Sequence, residues 1–123
     1  LYQPELIVEG AWFKEGGFKA AERLFSLPEP PTAIYAANDQ MAIGAIEAAH
    51  AHGLRVPQDI AIAGYDDIPV AADVAPSLTT VRFPFRMIGR QAGEMVVNLA
   101  ADRDFDPASL PPIPVEIVER ESA

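Results

Sequence analysis

Short apolar runs alternate with longer stretches of helical periodicity along this chain. Residues 5–8, 32–37 and 60–64 predict strands, and the uniformly apolar start of the third run suits a sheet covered on both faces. Residues 17–27 and 39–52 carry apolar side chains at the spacing of a helix. The order strand, helix, strand, helix, strand predicts an α/β fold with a parallel sheet, helices on both faces and right-handed crossovers.

The second half of the chain continues this organisation. Residues 78–83 predict a further extended segment, and Pro84 suits the first turn of a helix that runs to about Ala101. After a loop over 102–112, alternating apolar positions in 113–119 predict a last strand. The apolar stripe of the predicted helix consists of Phe85, Ile88, Ala92, Met95 and Leu99.

The helix predicted over 39–52 is apolar almost all round, and Gly53 is placed to end it in a left-handed conformation. One face of this helix packs on the sheet. The opposite face needs a second cover, for which a symmetric partner subunit is a natural candidate.

Polar and aromatic residues follow the predicted strands at the point where each one ends. Trp12 comes shortly after the first strand, Asn38 directly after the second, and Asp66 directly after the third. In a parallel sheet these positions gather at one edge, where open α/β folds bind ligands. An indole face covers the apolar side of a sugar ring, while an amide and a carboxylate bond its hydroxyl groups. The set predicts a site for a polyol.

Each of these residues also has a purely structural interpretation. Asn38 suits the N-cap of the following helix, with Asp39 complementing the helix dipole. Asp66 and Asp67 together are typical of a solvated turn, and Trp12, which is the sole tryptophan, suits a core anchor.

Composition excludes several classes of function. The 123 residues fit one domain, and no run approaches the roughly 20 apolar residues of a membrane-spanning helix. The absence of cysteine excludes disulfides, and a net charge of −9 is opposite to a DNA-binding surface. We expect no metal, because His50 and His52 face apart on their helix. No nucleophile elbow, P-loop or dinucleotide motif is present, so we expect neither an enzyme nor a cofactor.

Nearly the whole chain resembles the C-terminal part of the LacI/GalR family of bacterial transcriptional repressors. The most specific pieces are ANDQMAIG at 37–44, GYDD at 64–67 and LTTVR at 78–82. The segment VEGAWFKEGGFKAAERL near the start and the closing PIPVEIVERESA are similar to the family's loop with its following helix and to its last strand.

The resemblance implies a protein with an N-terminal helix-turn-helix, a hinge and a core of two Rossmann-like subdomains that enclose the effector, as in periplasmic sugar-binding proteins. Residues 1–123 would be the C-terminal portion of the effector-binding and dimerisation domain, which makes the periplasmic-binding-protein-like fold incomplete. The DNA-binding domain, most of the N-terminal subdomain, and the first strand and helix of the subdomain represented here would lie outside this chain.

Carried over to this sequence, the family's effector contacts would be Trp12, Asn38 and Asp66. Phe83 stands where many members carry a glutamine that reaches the effector, and Ser77 replaces the second residue of a common Pro-Pro. A phenyl ring makes that wall more apolar, so a purine, a nucleoside or a modified sugar stays open as the ligand. The implied dimer interface involves Ile43, Ile46, Glu47 and Val74.

We therefore expect the effector-sensing and dimerising part of a cytoplasmic LacI-type repressor. It would bind a sugar or related polyol, form a homodimer, contact no membrane, and reach operator DNA only through the absent N-terminal domain. A periplasmic sugar-binding protein of a transport system and a hydrolase using Asp66 or Asp39 are the alternatives. The isolated chain would lack one wall of its pocket, and the stripe on residues 84–101 would lack part of its cover.

Overall fold

The computed structural model describes residues 3–101 and 106–123, which fall into two compact units. The first unit comprises the chain up to Arg82 together with Ile117–Ala123, and the second comprises Phe83–Glu116. The helices are α1 (Lys14–Phe25), α2 (Asp39–Ala51) and α3 (Phe85–Ala101); the strands are β1 (Ala33–Tyr35), β2 (Ala61–Asp66), β3 (Thr79–Arg82) and β4 (Glu116–Val118). Single 3₁₀ turns cover Pro4–Leu6, Pro69–Ala72 and Pro107–Ser109.

The predicted α/β fold is confirmed. The sheet has the order β1-β2-β3-β4, and β2 pairs in parallel with both β1 and β3. In this register Ala33 lies opposite Ala61, and Asp66 opposite Arg82. The predicted helix end at Gly53 is also confirmed, since this residue has φ +73° and donates its N–H to the His50 carbonyl.

The strand predicted over residues 5–8 is wrong. Pro4–Leu6 forms a 3₁₀ turn, which the Ile7 N–H closes by donating to the Pro4 carbonyl. An apolar cavity of about 280 Å³ is lined both by residues 6–8 and by β1. Strands pair at about 4.8 Å. Among the described residues, residues 7 and 8 take no part in a strand ladder.

Helix α1 covers the second apolar face of α2. The two helices approach closely at glycines, since a Cβ on Gly44 would lie 2.0 Å from the Lys14 carbonyl oxygen. Ile43 and Ile46 are only 8% and 3% exposed within the chain itself. Within the chain itself these two residues are therefore already buried, and contact of a partner subunit with α2 stays a prediction.

The C-terminal tail is built into the first unit by Ser122, which is fully buried. Its hydroxyl donates to the Ile62 carbonyl at 2.6 Å and accepts from the Thr79 N–H at 2.9 Å. The Ser122 carbonyl in turn accepts from the Ile62 N–H. One residue of the tail thus joins β2 to the start of β3. The predicted last strand is confirmed over the shorter range of β4.

In the second unit, α3 confirms the predicted helix, and none of its residues is buried. Phe85 and Leu99 of the apolar stripe are 56% and 41% exposed, as expected for a stripe that lacks part of its cover. The described helices include none with the length and apolar character that crossing a membrane requires. Residues 102–105 of the predicted loop lie outside the described residues.

The contact of α1 with α2 generates a test. Gly44→Ala should lower the free energy of unfolding by about 1–3 kcal/mol, because the new methyl group meets the Lys14 carbonyl. Gly89→Ala in α3 is the matched control, since nothing lies within 4 Å of the added Cβ. The control should leave stability unchanged or raise it by up to about 1 kcal/mol. Urea denaturation followed by circular dichroism measures both, and equal effects would contradict the close contact.

Candidate functional site

The parallel register of β1, β2 and β3 places their carboxyl ends along one edge of the sheet in the first unit. Tyr35 ends β1, Asp66 ends β2 and Arg82 ends β3. The loop before α1 reaches the same edge, because the Trp12 carbonyl accepts a hydrogen bond from the Asn38 side chain, which directly follows β1. We call this the carboxyl edge.

Asn38 has the structural role that its position predicts, and it keeps capacity for a second one. Its side-chain oxygen accepts from the Met41 N–H at 2.8 Å and so caps α2. Its side-chain nitrogen donates to the Trp12 carbonyl at 2.9 Å. A primary amide offers two N–H donors and two acceptor lone pairs, so these two bonds use half of them. The cap thus leaves a donor and an acceptor for a ligand.

Trp12 is not a core anchor in this chain. Its side chain is 68% exposed, and the residue has φ +65°, next to Ala11 at φ +50°. Residues without the freedom of glycine adopt this region at a cost of about 1–3 kcal/mol, and such residues cluster at functional sites. The bond from Asn38 holds the loop, and the indole stays available to a ligand.

Asp66 is half-buried at the end of β2 and has φ +119°. Burial raises the pKa of its carboxyl group, and the negative charge of Asp39 raises it further. Trp12 and Asn38 are joined by a direct bond. Parallel pairing of β1 with β2 puts Asp66 at the same edge of the sheet as Asn38. A site shared by all three residues stays a prediction.

Asp39 is the anchor of the carboxyl edge, a role that dipole reasoning from the sequence missed. Its side chain is fully buried and accepts from the Thr80 hydroxyl and, at 2.9 Å, from the Ile68 N–H. A Cβ on Gly64 would lie 2.4 Å from its oxygen, so only glycine fits there. Because substrate cannot reach a buried carboxylate with both oxygens occupied, Asp39 is unsuited to hydrolysis.

Asp67 is an ion-paired residue, which corrects its interpretation as part of a solvated turn. Its carboxylate accepts from Arg82 and from Arg120, each at 2.7 Å, and its side chain is 11% exposed. Burial by itself would raise the pKa of this carboxyl, but the bonds from both arginines outweigh burial and the pKa is lowered. The charge pattern gave no signal for Arg120, because it lies 53 residues away in sequence.

Tyr35 is a further candidate that sequence reasoning missed. It ends β1 with its side chain 65% exposed, although it comes from a strongly apolar run. Partial burial raises the pKa of its phenol, and the nearby Tyr65 and Asp66 add to the effect. A second exposed aromatic ring therefore lies at the same edge of the sheet as Asp66. The sequence signal for Tyr35 as a candidate was its position as a tyrosine at the end of an apolar strand.

Phe83 lies in the second unit, where its ring meets the ring of Phe85 edge to face, with centroids 4.9 Å apart. Its role as a ligand contact stays a prediction.

The carboxyl edge is chemically suited to recognition of a ligand with hydroxyl groups. It combines exposed aromatic rings with an amide that donates and accepts hydrogen bonds and a carboxylate that accepts them. Among the described residues, no three His, Asp or Glu side chains are arranged to hold a metal ion. His52 instead lies 2.7 Å from the carboxylate of Glu22.

Comparison with known proteins gives the chain a family context. Residues 2–123 match the family model described as "Periplasmic binding protein-like domain". The probable HTH-type transcriptional repressor ExuR of Bacillus subtilis (strain 168) is 44% identical over 98 residues, which are 80% of this chain and 29% of that protein.

Two solved structures are similar over most of the chain. A sugar-binding transcriptional regulator of the LacI family from Escherichia coli, in complex with phosphate, is 28% identical with a TM-score of 0.85, and the match covers 100% of this chain and 44% of that one. The lac repressor dimer bound to operator and the anti-inducer ONPF is 34% identical with a TM-score of 0.82, over 92% and 39%. The chain thus spans less than half the length of each of these proteins.

The anchor role of Asp39 generates a second test. Asp39→Ala should lower the free energy of unfolding by about 2–5 kcal/mol, because the Thr80 hydroxyl and the Ile68 N–H are left buried without an acceptor. Asp59→Ala, which breaks an exposed pair with Arg55, should cost much less. Urea denaturation measures both variants. Equal losses would show that Asp39 anchors nothing.

Proposed function

The chain belongs to the periplasmic binding protein-like domain family, and on that premise we propose that it is the effector-sensing and dimerising part of a LacI-type transcriptional repressor. The observation that carries the proposal is the carboxyl edge, where Asn38 and Asp66 lie at the carboxyl ends of the neighbouring strands β1 and β2 and Asn38 bonds the loop that contains Trp12. The relatives described above are named as repressors and transcriptional regulators, which favours a regulator over an enzyme.

The proposed effector is a sugar or a related polyol. Exposed rings of Trp12 and Tyr35 suit the apolar faces of a pyranose, and Asp66 accepts hydroxyl protons. The charge of Asp39 lies next to this carboxylate and adds to the negative field of the edge. A neutral ligand with hydroxyl donors is therefore favoured over an acidic one. One relative of known structure is named as sugar-binding.

The proposed mechanism is a shift between two arrangements of the effector-binding core. A ligand that binds one arrangement more tightly than the other shifts the equilibrium toward that arrangement and thereby changes the affinity for operator DNA. The operator changes the affinity for the ligand by the same factor. Operator DNA would be bound through a domain outside these 123 residues, in keeping with the net charge of −9. We place the protein in the cytoplasm, where its DNA is.

The proposed partner is a second copy of the same protein. Ile43 and Ile46 are buried by the chain itself, so within α2 the proposed interface depends on exposed groups. Glu47 is half-exposed, pairs with Lys14 at 2.9 Å, and is accessible to a partner. Val74 packs against the core with one side accessible. One structural relative is named as a dimer.

Sugar binding by the full-length gene product tests the proposal. Titration calorimetry with glucose, galactose, galacturonate and cellobiose should find saturable binding of at least one neutral sugar. Asp66→Asn should then weaken binding at least about tenfold, because a charged acceptor is lost. This variant should fold normally, since asparagine tolerates positive φ. The 123-residue chain alone should bind the same sugar weakly or not at all.

Asp59→Asn serves as the control and should bind like the unchanged protein, because its pair with Arg55 lies before β2, at the opposite end of the strand. Unchanged affinity in Asp66→Asn would remove Asp66 from the site. Turnover of a glycoside that disappears in Asp66→Asn would favour a hydrolase. Tight binding by the isolated chain would show that its pocket needs no second wall.

A further inference from the structure

The Asp67 carboxylate joins three parts of the first unit that are distant in sequence. One oxygen accepts from Arg82 Nε at the end of β3, and the other accepts from Arg120 in the C-terminal tail, both at 2.7 Å. Arg120 also donates to the Leu78 carbonyl at 2.7 Å, and its N–H donates to the Thr79 hydroxyl at 2.9 Å. We call Asp67, Arg82 and Arg120 the Asp67 clamp.

The two arginines of the Asp67 clamp mark the places where the chain leaves and re-enters the first unit. Arg82 is the last residue before the chain continues into Phe83–Glu116, and Arg120 lies shortly after the return at Ile117. Residues 79–82 and 117–120 are therefore the connecting segments. A carboxylate that bonds both segments is a physical link between them.

The Asp67 clamp also determines the backbone next to the candidate ligand residue. Asp66 and Asp67 have φ values of +119° and +55°, a region that residues other than glycine adopt infrequently, although aspartate and asparagine adopt it more readily than most. Such a pair persists only where surrounding contacts hold it. The Asp67 side chain is nearly buried and receives two charge-assisted bonds, which are the contacts available to do so.

We infer that Asp67 is a positioning residue whose bonds to Arg82 and Arg120 hold Asp66 in its left-handed conformation and tie that conformation to both connecting segments. A conformational change at the carboxyl edge then alters the connecting segments that lead to the second unit. A conformational change in those segments likewise alters the backbone of Asp66. The role of Asp66 as a ligand contact rests on the proposed function, whereas the link itself does not.

Nuclear magnetic resonance of the 123-residue chain tests the link without any ligand. Arg120→Gln should change the H–N–Cα–H coupling constant of Asp66, which reports φ, although the substitution is 54 positions away in the printed sequence. Arg120→Lys keeps the charge and should restore part of the coupling. A residue that only stabilises the fold would leave this coupling unchanged as long as the protein stays folded.

Amide hydrogen exchange supplies the second measurement. Asp67→Asn should speed exchange in both connecting segments by about tenfold or more, while α1 and α2 keep their protection. Asp67→Asn combined with Arg120→Gln should have less effect than the sum of the two single changes, because each change alone already removes the bond between Asp67 and Arg120. Asp59→Asn should leave both segments unchanged. Arg82→Gln, which removes the bond from a half-exposed side chain to one oxygen of Asp67, is the milder variant if Asp67→Asn does not fold.

The inference is overturned if the Asp66 coupling constant is the same in the unchanged chain and in the folded Arg120 and Arg82 variants. Effects that add in the double variant, or faster exchange spread equally over α1 and α2, would also overturn it. Failure of every sugar in the calorimetric panel would contradict the proposed effector and leave this result standing, so the two outcomes are separable.

Discussion

The carboxyl edge depends on one buried interaction, the carboxylate of Asp39 between helix and sheet. It is the first residue of α2, and it accepts bonds from Thr80 in β3 and from the Ile68 N–H beyond β2. Gly64 of β2 has no side chain, which lets this carboxylate approach the strand. These contacts fix the start of α2 against the sheet. Because Asn38 is the adjacent residue, the same contacts fix the amide that caps the helix and bonds the Trp12 loop.

Two neighbouring carboxylates on this edge have opposite environments, and this divides their roles. Arginines lower the pKa of Asp67, which is bonded and nearly buried. Burial and the charge of Asp39 raise the pKa of Asp66, and no arginine lowers it. A carboxylate bonded on both oxygens holds structure, while one that gains from new hydrogen-bond donors is suited to a ligand. The adjacent aspartates therefore differ in environment although the sequence presents them alike, which supports the proposed roles of Asp67 in positioning and of Asp66 in ligand contact.

The sequence was informative where local rules decide and uninformative where distant contacts do. The strands after Pro31, the limits of α2 and α3, the Asn38 cap and the Gly53 ending follow from periodicity and capping, which act within a few residues. Helix α1 begins three residues before the predicted start at residue 17. The strand predicted over residues 5–8 is wrong because an apolar run in the sequence does not show whether a second strand lies within pairing distance. The packing of α1 on α2 depends on a close contact at Gly44, and the bonds of Arg120 and Ser122 bridge more than 40 positions. No local pattern contains such contacts.

The central claim is that Trp12 and Asp66 share one edge of the sheet, and the composition of the chain allows a direct measurement. It has a single tryptophan and no cysteine. The fluorophore bimane attached at Asp66→Cys can therefore be quenched on contact by one indole, that of Trp12. Bimane attached at Asp59→Cys, before the amino end of β2, is the control. Strong quenching at position 66 that is lost in Trp12→Phe, with little quenching at position 59, is the predicted result. Equal quenching at the two positions, or quenching at 66 that survives loss of Trp12, would contradict a shared edge.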